Sequence, residues 1–285
     1  MTPTDKPFDY SVRYFTGLES SWNRISYPLI MPHVVAVLQA KRPQRILDLG
    51  CGTGVYGPLL ASQGATVSGT DLSPEAIRLS RQSPYDQVKQ CDAEHVDFPA
   101  ETFDLVFTSE VLEHVDDYRA MLREIIRLLK PGGVVLLTTT LYGTSVYQMI
   151  YAYHGGFPGF CRNIGLYLLG FWNHRAAREF ILRWCYEPLG GHFHGFHARQ
   201  LASDFRDCGF VRVQMSKFYA VDPFPLADGL TMTTVWRSQR SWVRKAILTA
   251  CLAVARPVNA GLRRLGWFAN NVIIVAQKPA ATCDA

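Results

Sequence analysis

The stretch RILDLGCGTG, Arg45 to Gly54, sets three glycines on alternate positions directly after a short apolar run. Such a run reads as a β-strand over 45–49, and the Gly50–Gly54 turn then opens a helix. Glycine adopts positive φ, and without a Cβ it lets a ligand rest against the peptide backbone. A nicotinamide-binding turn has the spacing G-x-G-x-x-G and receives a pyrophosphate at the helix N-terminus. Here the third glycine comes early, and a carboxylate, Asp48, sits at the strand tip. A second carboxylate, Asp71, ends the next strand in SGTDLS, Ser68 to Ser73, where an acidic side chain can accept bonds from ribose hydroxyls. Two negative charges suit a cationic nucleoside without phosphate better than a dinucleotide.

Outward from this turn, short β-branched runs alternate with helical patterns, as in a parallel sheet covered by helices on both faces. Strands are expected at 45–49, 66–70, 87–91, 103–108 and 133–140, with helices over 56–63, 74–82 and 117–129. Residues 22–40 read as an N-terminal helix interrupted at Pro28 and Pro32, and Pro131-Gly132-Gly133 is expected to stop the last helix before its strand. A helix in ARQLASDFRDCGF and strands in VRVQMSKFYA and NVIIVAQK complete a seven-stranded α/β domain. The expected division is an N-terminal helical cap over 1–42 and one domain over 43–285. That domain carries helical insertions late in the chain, at about 141–195 and 222–268, because structureless loops of such length are improbable in a compact domain.

Composition narrows the class. Of 285 residues, 48% are hydrophobic and 19% charged, enough for a sizeable core and against global disorder. The first thirty residues carry Asp5, Asp9, Arg13, Glu19 and Arg24, which argues against a secretory signal. The seven cysteines are scattered and form no C-x-x-C pair, so the expectation is a reduced, cytoplasmic protein without a disulfide framework or zinc site.

In chain order, ILDLGCGTG, GTDLS, CDAEHVDFP, FDLVFTSEVLEHV and LLKPGGVVLLTTT resemble the class I (seven-strand, Rossmann-like) methyltransferases dependent on S-adenosylmethionine (SAM). The chain is similar in particular to the bacterial group that includes ubiquinone O-methyltransferases. The motifs cover about residues 43–140, and FHARQLASDFRDCGF extends the match. The resemblance implies that Asp48, Gly50 and Gly52 surround the methionine part of SAM and that Asp71 takes the ribose hydroxyls. It further implies Leu72 against the adenine, Asp92 on its amino group, Ala93 donating a backbone N–H to the ring, and Ser109 facing the methionine end.

Methyl transfer from a sulfonium is an in-line displacement in which placement carries much of the rate. A phenol or alcohol acceptor also wants a general base. The candidates are Glu110, Glu113 and His114 in EVLEHV, and His192, His194 and His197 in GGHFHGFH, with His114 and His192 the expected bases. In ubiquinone-type O-methyltransferases E-x-x-E-H also resembles part of a divalent-metal site, which a later histidine would complete. Base, metal ligand and packing element all stand as readings of this cluster. Tyr27 and other N-terminal aromatics either close the cofactor pocket or pack on the sheet.

Both late insertions are rich in aromatic and apolar residues, which points to a hydrophobic or amphipathic small-molecule acceptor. Between Asp228 and Asp284 there is no acidic residue, while Arg237, Arg240, Arg244, Lys245, Arg256, Arg263 and Arg264 fall there with three tryptophans. Segment 236–268 therefore reads as a lid over the domain, as a dimer contact, as a peripheral membrane-surface element, or, least favoured, as a nucleic-acid contact. An RNA or protein methyltransferase and a SAM-binding protein without catalysis are the competing functions.

Overall fold

The structure, a computed structural model, describes residues 20–141, 194–218 and 271–281. Segment 236–268, His192 and nearly all of both expected insertions lie outside the described residues. Residues 20–139, 198–216 and 273–281 belong to one compact unit, and 140–141, 194–197, 217–218 and 271–272 to a second.

The chain enters through α1 (Ser20–Lys41). This helix runs through Pro28 and Pro32 without the expected interruption. Each proline removes an N–H and crowds the preceding turn. Both are exposed, four residues apart on one face, so the carbonyls they orphan can turn to water. Ile30, Val34 and Leu38, on the other face, are buried to within 1% and hold the helix on the domain. Tyr27 packs on Tyr56 at 5.1 Å between ring centroids, and Tyr56 on Phe107 at 4.7 Å. Of the two readings of Tyr27, packing is the contact observed.

β1 (Arg45–Leu49) follows, then the short α2 (Gly57–Leu60) continued by a 3-10 turn at Ala61–Gln63. β2 (Thr66–Asp71), α3 (Pro74–Ser80), β3 (Gln87–Gln90), β4 (Phe103–Ser109), α4 (Tyr118–Leu128) and β5 (Leu129–Thr140) come next. α5 (Ala198–Asp207), β6 (Val211–Phe218) and β7 (Asn271–Gln277) complete the described elements. Local signals explain the helix starts. Ser73 caps α3, its hydroxyl accepting from the Ala76 N–H at 3.3 Å, with Pro74 in the first turn. Asp117 caps α4 by accepting from the N–H groups of Arg119 and Ala120 at 3.0 Å each. The Ala120 bond is the main cause holding this exposed carboxyl below its ordinary pKa.

The sheet has seven strands in the order β3-β2-β1-β4-β5-β7-β6, and the pairings from β3 to β5 are parallel. It is a mainly parallel, Rossmann-like sheet. Its centre is apolar and dry: Ile46, Leu47, Leu105, Val106, Phe107, Val135, Leu136 and Leu137 are all at 0% exposure. Both faces of these strands are covered, which is why they read as continuous hydrophobic runs.

Pro131-Gly132-Gly133 does not separate α4 from β5 as expected. β5 begins at Leu129, opposite Phe103, and the register then jumps so that Leu105 faces Val134. The three residues form a bulge within the strand, with Gly132 at φ 78°. β7 and its exit stitch the bulge in place. The Gln277 amide donates to the Gly132 carbonyl at 2.7 Å, and the Lys278 N–H to the Gly133 carbonyl at 2.9 Å.

α5 is tied to the start of α4 through Asp204, which is 1% exposed. Its carboxylate accepts from the Tyr118 hydroxyl at 3.0 Å, the Gln200 amide at 3.0 Å and the Arg119 guanidinium. Asp204→Ala should destabilise the protein by about 2–3 kcal/mol, since three donors lose a buried charged acceptor. Urea unfolding checks this, and a change below about 0.5 kcal/mol would show the cluster to be ornamental.

Candidate cofactor and active site

The strand order reverses between β1 and β4, which leave their carboxyl ends side by side. Open α/β sheets bind ligands in the crevice outside such a switch point. β1 delivers Asp48 there, flanked by Gly69 of β2 and Phe107 of β4, with 2% exposure. The turn that follows holds Gly50, Gly52 and Gly54 at φ 73°, 51° and 80°. Its first two N–H groups, of Gly50 and Cys51, both donate to the Thr70 carbonyl at 2.8 Å. A Cβ on Gly50 would lie 2.3 Å from Val111 Cγ2, so both φ and space demand glycine. Gly50→Ala should lose about 2–3 kcal/mol of stability. Adding Val111→Ala should return only the steric part, because the φ strain remains; full recovery in the double variant would refute a backbone cost.

Asp71 at the tip of β2 has a structural task that its spacing did not announce. Its Oδ2 accepts from the Gly52 N–H and its Oδ1 from the Ser73 N–H, each at 2.9 Å. One carboxylate thus clamps the β1–α2 turn to the β2–α3 turn. Burial pushes its pKa up, against the lowering effect of the Ser73 and Gly52 bonds. Beside it Leu72 is 59% exposed, unusual for a leucine and open to an apolar partner. After β3, exposed Asp92 accepts from the Glu94 N–H at 2.9 Å, a turn that leaves Ala93 half-buried between them. A carboxylate has about four acceptor positions, so neither Asp71 nor Asp92 is exhausted by these bonds.

At the tip of β4 the Ser109 hydroxyl lies 2.9 Å from the Thr138 hydroxyl, which donates to Glu110 Oε1 at 3.1 Å. Glu110 itself has φ 56°. A non-glycine residue in the left-handed region is a strained backbone position. Glu113 is wholly buried and accepts from the Thr139 hydroxyl at 2.7 Å. Thr138 and Thr139 are consecutive in β5 and face opposite sides of the sheet. The two glutamates of E-x-x-E-H are therefore held apart, one on each face. Among the described residues no group of three or more His, Cys, Asp or Glu is placed to hold a metal ion. His114 follows in the turn closed by its N–H on the Val111 carbonyl at 2.9 Å, and it is half-buried. In the second unit, His194 lies 6.1 Å from Phe196 between ring centroids, and buried Phe196 bridges Leu141.

Sequence reasoning did not single out Tyr85 or Ser83. The Tyr85 hydroxyl donates to Asp48 Oδ2 at 2.6 Å, and the Ser83 hydroxyl to the Gly54 carbonyl at 2.7 Å. The loop between α3 and β3 thus supports the glycine turn from beneath. A signal was present in Gly57 and Gly69, two glycines that no turn explains.

The methyltransferase-domain family matches residues 24–215, which include the glycine turn, both strand-tip carboxylates and the E-x-x-E-H segment. The chain belongs to the class I SAM-dependent methyltransferases. The ubiquinone biosynthesis O-methyltransferase of Thiobacillus denitrificans is 41% identical over 102 residues, 34% of this methyltransferase and 44% of that protein. The protein of that name from Idiomarina loihiensis is 29% identical over 157 residues, 53% of this chain and 54% of its own. This chain spans about half the length of the curated relatives it matches. Among solved structures, a SAM-dependent methyltransferase from Archaeoglobus fulgidus has a TM-score of 0.56 at 20% identity, covering 95% of this chain and 100% of its own. Phosphoethanolamine N-methyltransferase 2 of Haemonchus contortus, in complex with SAM, has a TM-score of 0.53 at 20% identity, covering 87% and 52%. At that identity the likeness is one of fold.

Proposed function

We propose that this methyltransferase binds SAM at the tips of β1, β2 and β3 and transfers its methyl group to an oxygen of a hydrophobic or amphipathic small molecule. The supporting observation is the donor set. Three acidic side chains, Asp48, Asp71 and Asp92, stand at the switch-point end of the sheet beside a turn of positive-φ glycines and an exposed leucine. That set fits a cationic nucleoside: carboxylates for the positive charge and the ribose hydroxyls, bare backbone for close approach, apolar surface for a base.

When bound, SAM supplies a methyl group on a positively charged sulfur. The chain's own residues do the rest. Asp48, Gly50 and Gly52 surround the methionine portion, and Asp71 accepts from the ribose. Leu72 lies against the adenine, with Asp92 accepting from its amino group and Ala93 N–H donating to its ring. Ser109 faces the methionine end. His114 takes the proton of the acceptor hydroxyl, with His192 as the second candidate base. Oxygen is favoured as acceptor because the matched relatives carry the name O-methyltransferase.

Incubation with isotopically labelled SAM and cell extract, followed by mass spectrometry, tests the reading. The expected product is a small molecule carrying the label in a methoxy group. Label in RNA or protein would move the acceptor to a macromolecule. Stoichiometric SAM binding without any labelled product would leave a binding protein in place of an enzyme.

A further inference from the structure

Tyr85 is neither in the glycine turn nor at a strand tip, yet the turn is built around it. Added Cβ atoms on Gly54, Gly57 and Gly69 would lie 3.1–3.3 Å from its ring. Gly57 and Gly69 have no positive φ, so their backbone does not require glycine. What an alanine there would meet is the Tyr85 ring, together with Ser83 beside Gly57 and Cys51 beside Gly69. The ring thus occupies a notch that three glycines leave open, and from that seat its hydroxyl reaches Asp48 Oδ2 at 2.6 Å. Burial first, then the negative charge of Asp48, push the phenol pKa up, which keeps the hydroxyl protonated and donating.

We propose that Tyr85 is a positioning residue for the cofactor: its seated hydroxyl fixes the Asp48 carboxylate in the orientation that receives the methionine end of SAM. This rests on the assignment of Asp48 to the SAM site and adds what aims that carboxylate. A carboxylate at the end of a strand has two side-chain torsions, and a donor held by a packed ring removes that freedom before the ligand arrives. Preorganisation of this kind is gained as affinity.

Calorimetry of SAM binding to four proteins tests it: the wild type, Tyr85→Phe, Asp48→Asn and the double variant. Phenylalanine keeps the ring in its notch and removes only the hydroxyl. Tyr85→Phe should weaken SAM binding about tenfold, the scale of one hydrogen bond to a charged group. In the Asp48→Asn background the same change should cost less than about threefold, because the charge it orients is already gone. A residue with a packing role alone would give additive effects. Wild-type affinity in Tyr85→Phe, or full additivity, would overturn the proposal while leaving Asp48 in the site if Asp48→Asn alone binds weakly. Wild-type affinity in Asp48→Asn would instead remove Asp48 from the site, and Tyr85 with it.

Discussion

Asp71→Asn should bind SAM about 10- to 100-fold more weakly than the wild type and unfold with a loss of about 2–4 kcal/mol. The amide is nearly the shape of the carboxylate, so packing is kept and only acceptor capacity changes. The two oxygens of Asp71 each receive a backbone N–H, from Gly52 and from Ser73. An asparagine offers one oxygen and one NH2. Whichever way the amide turns, a donor faces a donor, and one of the two turns loses its anchor. With Asp71 as the proposed ribose acceptor, the ligand should lose a partner at the same time, so affinity and stability should fall together. The wild type carries a related acid sensitivity. Burial raises the pKa of Asp71, so proton uptake begins at a higher pH than for an ordinary aspartate. As pH falls through that range SAM affinity should weaken, because the protonated oxygen no longer accepts freely. Calorimetry across pH, with thermal unfolding of both proteins, reads all three quantities. An Asn variant that keeps full stability would dismiss the clamp; one that keeps full affinity would take Asp71 out of the ribose site.

The same residue shows where the sequence was legible. Asp71 stood out because a carboxylate at a strand end beside a glycine turn has a recognisable ligand chemistry, and the apolar RILDL and the β-branched Thr66, Val67 and Thr70 of TVSGTD announce strands. Ser73-Pro74 announced a helix start because capping is local. Contacts between residues far apart in the chain were hidden. Gly52 and Asp71 are both in the motifs, but nothing in their spacing says that one bonds the other. Tyr85 sits 37 positions from the carboxylate it touches, in a loop whose composition reads as a plain turn. Pro28 and Pro32 were misread as breaks because propensity describes an isolated helix, whereas Ile30, Val34 and Leu38 bury the opposite face. Pro131-Gly132-Gly133 was misread for a similar reason. A strand tolerates a bulge when a neighbouring strand satisfies its carbonyls, and Gln277 and Lys278 do that from the far end of the chain.

The largest expected effect on turnover belongs to His114. E-x-x-E-H offers three titratable side chains within five positions, and the sequence alone leaves their roles open. Threonines of β5 separate them: Thr138 donates to Glu110 and Thr139 to Glu113, on opposite faces of the sheet. Glu113 is wholly buried, and a carboxylate is ordinarily a weaker base than an imidazole. Imidazole is the side chain whose ordinary pKa lies near neutrality, where a general base works best. His114→Ala should therefore lower turnover of the oxygen acceptor by about 10²–10⁴, with SAM affinity within about twofold of wild type. His114→Gln should do the same, since glutamine restores size and hydrogen bonding but not basicity. Raising the pH should partly rescue both variants, because a hydroxyl acceptor ionises without help as its own pKa is approached. Chelator separates the metal reading: loss of activity in the wild type on chelation, restored by magnesium or manganese, would make the segment a metal site whose ligands come together only when loaded. Full turnover in His114→Ala with chelator present would eliminate His114 both as base and as ligand, and leave His192 to carry the proton.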